Sequence, residues 1–338
     1  MKRAAFSTLI PLILLAGCSG SDGGITGPGN DNNPPPPPPA GFAITPANGL
    51  QVSQAAYQAV LTSGDIAGLA GSTGIASSPG GGLAKPGIQE QLAGTLAGIL
   101  QKVPVGPTVV DCLSNGTVTV TMNVADLNVL LGGMLSVGDT ILTEYAMCDE
   151  GLGEVIDGTI DSEVNAFNGN ILVSSYDMTM TMDVTNFQVT TGADVVTGNG
   201  DATATLNSLA APYVEATVTG NSMTTDMNSS SNTLSNYAST QTLDATVSPA
   251  PYTMDSSGTL DSSELSGAFT YATQVTFEGF DTDYPNAGVL LVTSDSGSAT
   301  LTAEANGVDV TIRIYASNDG TGDPVDTILT TWAELAAM

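Results

Sequence analysis

Residues Met178-Thr179-Met180-Thr181-Met182-Asp183-Val184 alternate an apolar with a polar side chain. That period of two puts every apolar group on one face of an extended strand. The same alternation runs through Thr117-Val118-Thr119-Val120-Thr121-Met122-Asn123-Val124. Further on, Leu301 and Ala303 precede Asn306-Gly307, while Val308, Val310, Ile312 and Ile314 follow it. Asn-Gly between alternating runs is the strongest short hairpin signal. Similar punctuation at Asn115-Gly116, Asp157-Gly158, Asn168-Gly169, Asn199-Gly200 and Ser257-Gly258 reads as further turns. The count comes to roughly ten to twelve strands with no long helix between them. Residues 108–338 are therefore expected to form an antiparallel β domain, with one apolar face and one face rich in Thr, Ser and Asp.

The segment 42–107 has helical period instead. Asn48 is placed to cap a helix whose apolar positions are Val52, Ala55, Ala56, Ala59 and Val60, ending at Ser63-Gly64. After a Gly/Ser-rich loop, a second helix starts near Pro86 and sets Ile88, Leu92, Leu96, Ile99 and Leu100 on one stripe before Pro104. These faces are too mild for membrane helices and suit a cover for a sheet. A strand set with one apolar face needs closure, a second sheet or a cover. The fold expected is mainly β: a large curved antiparallel sheet or half-barrel with two N-terminal helices as cover, with a β-sandwich as the alternative. An outer-membrane barrel fits less well, because aromatic residues make up only 5% of the chain, thin for two interfacial girdles.

The start of the chain carries an address. Lys2 and Arg3 precede an apolar run from Ala4 to Leu15, the order of a secretory signal and too short to span a bilayer. Leu15-Ala16-Gly17-Cys18 resembles the lipobox of bacterial lipoproteins, which marks 1–17 as a signal peptide. The resemblance implies diacylglycerol on the Cys18 sulfur and an acyl chain on its amine, several chains being needed for stable anchoring. Ser19, where an Asp would favour the inner membrane, implies the outer membrane, with the face left open. Residues 18–41 contain six consecutive prolines, Pro34 to Pro39, and read as a disordered tether. The half-barrel resembles, in architecture, periplasmic lipoprotein carriers and the outer-membrane lipoproteins that receive their cargo. From Tyr284-Pro285 to Thr330-Thr331-Trp332-Ala333-Glu334-Leu335 the chain is similar to uncharacterised acidic outer-membrane lipoproteins of Gram-negative bacteria. Trp332 reads as the core anchor of a final strand.

Charge and composition bound the chemistry. The formal charge is −29, and loss of Lys2 and Arg3 with the leader would make it −29 − 2 = −31. Such a surface repels nucleic acid and anionic head groups, so the partners expected are the membrane through the lipid anchor, an envelope protein or an apolar ligand, and no nucleic acid. With Cys18 assigned to lipid, Cys112 and Cys148 remain as an even pair in an exported chain, which reads as a disulfide. The chain has no histidine, which removes the common general base and most Ser and Cys triads. Asp295-Ser296-Gly297 resembles half of an aspartic-protease motif, but no second copy stands in an apolar context, and a hairpin turn is the preferred reading. The stretch from Ser317 to Asp326 resembles a calcium turn, with Asp319, Thr321, Asp323 and Asp326 as ligands. The function expected is therefore a non-enzymatic structural or interaction role at the cell envelope, with no cofactor beyond the lipid on Cys18 and calcium at that turn. The alternative is a carrier holding a lipid or other apolar ligand in a concave sheet.

Overall fold

Alternation on this scale builds one sheet. The computed structural model describes residues 42–70, 107–149, 154–171, 175–192, 194–209, 213–227, 230–244, 246–265, 267–281 and 283–336. Its strands are β1 (Thr108–Asp111), β2 (Asn115–Asn123), β3 (Thr140–Asp149), β4 (Glu154–Asn170), β5 (Ser175–Thr191), β6 (Asp194–Asn207) and β7 (Tyr213–Met227). They continue as β8 (Ser230–Asp244), β9 (Pro251–Ser262), β10 (Phe269–Phe280), β11 (Ala287–Thr293), β12 (Ser298–Ala303), β13 (Asp309–Tyr315) and β14 (Asp326–Thr331). Order across the sheet is order along the chain, every neighbouring pair is antiparallel, and β1 and β14 do not pair to close it. The mainly β, single-sheet expectation holds, and the sandwich alternative does not. Fourteen strands exceed the ten to twelve read from turn signals; no glycine lies between Met227 and Ser230, for example, to mark the β7–β8 hairpin.

Among the described residues three helices accompany the sheet: α1 (Gly49–Ala70), α2 (Leu127–Leu131) and α3 (Trp332–Ala336). Helix α1 touches β6, β7, β8 and β9, and also β12, β13 and α3. Strands lie about 4.8 Å apart in a sheet, and a helix with its side chains is about 10–12 Å wide. At 22 residues α1 is about 33 Å long and runs across the strands, from Gly49 beside Ile314 of β13 to Gly64 beside Gln241 of β8. Val52, Ala56, Tyr57 and Val60 of α1 are buried. Residues 43 and 44 also meet the sheet, Ala43 bridging Ser296 and the Ile44 amide donating to the Ser296 carbonyl at 2.8 Å.

Two expectations for α1 need correction. Asn48 turns back instead of capping forward: its Oδ1 accepts from the Thr45 amide at 2.8 Å, and its Nδ2 donates to the Ala43 carbonyl. The helix also continues past Ser63-Gly64, because the Ser63 hydroxyl is satisfied by the Ala59 and Val60 carbonyls one turn back. The second helix expected near Pro86, like Cys18 and the tether, lies outside the described residues.

Bending is built into the strands. Pairing slips between Tyr145 and Cys148 in β3, Val184 and Phe187 in β5, and Ser235 and Ala238 in β8. Met147, Asn186 and Asn236 at these bulges have φ of 50°, 48° and 48°. A bulge inserts an unpaired residue and increases the local twist. Glycines sit opposite. A Cβ on Gly158, whose φ is 109°, would lie 2.2 Å from the Asn186 carbonyl oxygen. Tyr145 and Phe187, flanking it from β3 and β5, meet edge-to-face with centroids 5.7 Å apart. Gly220 lies under the Tyr237 ring in the same way, and Gly288 under Phe277. Aromatic rings over glycine kinks are a known device for curving a sheet. Gly158, Gly169, Gly200 and Gly258, read as turn markers, thus lie inside strands; of the dipeptides singled out, Asn306-Gly307 does form a hairpin turn, between β12 and β13.

Candidate functional site

One interruption of the ladder lies where the strands change from long to short. Between β9 and β10 the pairing stops at Ser257↔Ala272 and resumes at Met254↔Phe277. The Thr273 side chain fills in for the missing backbone partner: its Oγ1 accepts from the Ser256 amide at 2.9 Å and donates to the Ser256 carbonyl at 3.2 Å. Next to it Thr276 Oγ1 donates to Asp255 Oδ2 at 3.2 Å. The opening forms a groove of about 270 Å3 lined by Ala238, Ser239, Thr240, Asp255, Ser256, Ser257, Ala272 and Thr273.

Beneath the groove lies a layer of hydroxyls. Ser256 Oγ and Ser63 Oγ of α1 are 3.0 Å apart, and both residues are buried. Ser239, 1% exposed, has no hydrogen-bond partner for its hydroxyl. The Tyr271 hydroxyl faces Ser63 and Ser256; burial pushes it up to about 12, against the opposing pull of those two hydroxyls. Small side chains here let α1 approach closely, and a Cβ on Gly64 would meet Gln241 Nε2 at 2.3 Å. A hydroxyl activated as a nucleophile needs an adjacent base. The chain has no histidine, and the groove's carboxylate, Asp255, is exposed at its mouth.

Toward the C-terminal strands the interior holds a buried aromatic cluster. Trp332, fully buried, lies with its ring centroid 4.7 Å from Tyr57 and 5.8 Å from Phe277. Its Nε1 donates to the Pro285 carbonyl at 2.9 Å. Desolvation holds the Tyr57 and Tyr252 hydroxyls well above the ordinary tyrosine range, nearby Tyr252 and Tyr284 adding to the effect at Tyr57 and Asp283 at Tyr252. Trp332 anchors the core as expected, but it opens α3 and is not part of the last strand. Thr331 and Glu334 explain why: the Glu334 amide donates to Thr331 Oγ1 at 3.2 Å, and the Thr331 amide donates to Glu334 Oε2 at 3.1 Å. This reciprocal cap starts a helix at Trp332. Hydrogen bonds from the Thr330 hydroxyl and the Thr331 amide hold the Glu334 carboxyl below its usual range.

The remaining sequence candidates are placed as follows. Cys112 and Cys148 form a disulfide across 36 positions, with Cα atoms 5.5 Å apart, tying the segment after β1 to the end of β3. Asp295-Ser296-Gly297 is the turn between β11 and β12, where Ser294 Oγ donates to the Ser296 carbonyl at 2.8 Å. Asp319, Thr321 and Asp323 lie in the β13–β14 connection, and Asp326 is the first residue of β14. Asp319 Oδ1 accepts from the Thr321 amide at 3.1 Å and from Thr321 Oγ1 at 2.7 Å. Those bonds pull its carboxyl below the usual range. Among the described residues, no three of Cys, Asp and Glu cluster closely enough to hold a metal ion. Asp139, buried, receives the Ala125 and Ser136 amides at 2.8 Å each and has a structural use.

The groove was missed by the sequence reading. Its signal was polar residues where alternation calls for apolar ones: Ser239 between Tyr237 and Leu243, and Ser256 between Met254 and Leu260. No family model, curated protein or solved structure matches this chain.

Proposed function

We propose that this protein is an outer-membrane lipoprotein, anchored through acylated Cys18, whose sheet has a non-enzymatic structural or interaction role at the cell envelope. The observation that carries the reading is how the bend is occupied. Val52, Ala56, Tyr57 and Val60 of α1, with Trp332 and Leu335, are buried, and α1 lies against β6–β9, β12 and β13. A carrier instead needs an accessible apolar cavity of several hundred Å3. The groove at β8–β10 is hydroxyl-lined and opens on the other side of the sheet, where Thr240 and Asp255 meet solvent. The chain has no histidine, and among the described residues no base adjoins the buried serines, which supports a non-enzymatic role.

Two measurements test this. Cys18→Ser is expected to abolish labelling by a palmitate analogue and to move the protein from the membrane to the soluble fraction without altering its β-sheet circular dichroism. Unchanged membrane retention would overturn the anchor. Native mass spectrometry of the protein from envelope extract is expected to show no lipid beyond the covalent anchor; a co-purifying lipid would favour the carrier.

A further inference from the structure

We infer that the connection between β2 and β3, residues 124–139, is a membrane-surface contact that sets its apolar side chains into a zwitterionic bilayer; this rests on the lipoprotein reading proposed above and names a second place where the chain meets lipid. Four large apolar side chains stand out from it: Leu127 is 40% exposed, Leu131 55%, Met134 42% and Val137 69%. Leu130 and Leu135 between them turn inward and are buried. Single exposed apolar residues are ordinary on a protein surface, whereas four on one connection mark a contact surface.

Backbone bonding favours lipid over a protein as the occupant. Polar backbone groups that enter lipid have to be satisfied internally, because no water is there to bond them. The Gly132, Gly133 and Met134 amides return to carbonyls of α2. The Gly138 amide reaches the Val164 carbonyl of β4 at 2.8 Å, while the Gly133 and Gly132 carbonyls accept from the Ile171 amide and Asn170 Nδ2 at 2.8 Å each. Asp139, 1% exposed, closes the base of the connection by accepting the Ala125 and Ser136 amides. Asp126 uses its carboxylate to cap α2 at the Asn128 amide. The apolar side chains are thus held out on a backbone that asks little of a partner. Charge selects the lipid: the connection has no lysine or arginine and the chain carries −29, so anionic head groups are repelled and a zwitterionic surface is accepted. Reach permits the contact. The chain from Cys18 to Gly41 spans at most about 80 Å, and the longest strands, of 17 residues, are about 56 Å long.

The test uses the full acylated chain in phosphatidylcholine vesicles with brominated acyl chains, which quench tryptophan on contact. Trp332 is the chain's single tryptophan and is fully buried, so the unaltered chain is expected to stay unquenched. Leu131→Trp is expected to be quenched, with its emission shifted to the blue. Adding Met134→Asp and Val137→Asp should abolish that quenching, a charge being costly in hydrocarbon. Leu113→Trp, at a site 85% exposed at the opposite end of β2, should remain unquenched. If Leu131→Trp lowers the melting temperature, Val137→Trp replaces it, with Leu131→Asp in the charged variant. Three results would overturn the assignment: no quenching of Leu131→Trp, which would leave the patch to a protein partner, equal quenching of Leu113→Trp, or quenching that survives the aspartates. Flotation of the same vesicles reads the Cys18 anchor independently, so the two readings fail separately.

Discussion

The two ends of this sheet are curved by different means. From β3 to β8 the strands run 10 to 17 residues, and bulges interrupt the register of β3–β4, β4–β5, β5–β6 and β6–β7. From β11 to β14 they run 6 or 7 residues, and the pairs β11–β12, β12–β13 and β13–β14 keep an unbroken register. Long strands accumulate twist and need breaks to stay paired while bending; short ones do not. The buried side chains differ to match. Leu290, Val292, Leu301, Val310, Ile312 and Ile314 make the short end an aliphatic wall, whereas Met178, Met180, Met182, Ala202 and Ala204 line the long end; aromatic rings over glycine serve both, Phe277 over Gly288 of β11 included. The groove forms at the junction, where neither scheme completes the ladder.

The largest expected effect breaks both ends at once. Burial raises Tyr57, Tyr145, Tyr237, Tyr252 and Tyr271 above the ordinary value of 10.0. A raised tyrosine keeps its proton in the folded state and loses it first in the unfolded state. Its contribution is therefore complete below pH ~10 and is lost as pH rises toward the folded value, by about 1.4 kcal/mol per tyrosine per pH unit. Alkaline titration should show tyrosinate absorbance and loss of circular dichroism appearing together. Smooth ionisation near pH 10 with the sheet intact would contradict this burial.

Trp332→Ala tests the short end alone and should cost about 3–5 kcal/mol, read as a fall in denaturation midpoint. Reduction of Cys112–Cys148 acts on the long end. The loop it closes corresponds to about 3–4 kcal/mol by chain entropy, and hydrogen exchange should rise first in β1–β3 if the ends are energetically separate. Gly158→Ala should cost about 1–3 kcal/mol, because it strains a left-handed position and drives a methyl group into the Asn186 carbonyl. The smallest effect is expected from Asp183→Asn. Asp161, Asp183 and Asp201 face one another on β4, β5 and β6, and like charges directly opposite are unfavourable. The variant should gain about 0.2–1 kcal/mol at low salt and nothing at high salt.

The legible parts of the fold were those where one physical cause dominates. Met178 to Val184 and Val310 to Ile314 alternate because one face is buried, and they lie in β5 and β13 as read, while Val308 stands before β13 and is exposed. The disulfide followed from an even pair of cysteines. Glycine misled because it serves two causes: Gly307 makes a turn, while Gly158 and Gly200 relieve a crowded bulge inside a strand. Trp332 was read as strand because its burial was clear, while the Thr331–Glu334 cap beside it went unread. The groove was the least legible part. Nothing local distinguishes Thr273 from the many threonines of the solvent face; only the missing pairs on β9 reveal what its hydroxyl replaces.

The position of α1 has a consequence in time. It is the first described helix of the unit, yet its partners include β13 and Trp332, more than 250 positions later. Each hairpin can form as soon as its second strand is free to pair, because every strand pairs with the one just before it. The helix has to wait for the last hairpin and the closing turn of α3. A chain cut short near its C-terminus would keep most of its strand pairing while leaving Tyr57 without its tryptophan. Its open interior would expose the apolar face that α1 and α3 otherwise cover, and limited proteolysis would read the difference.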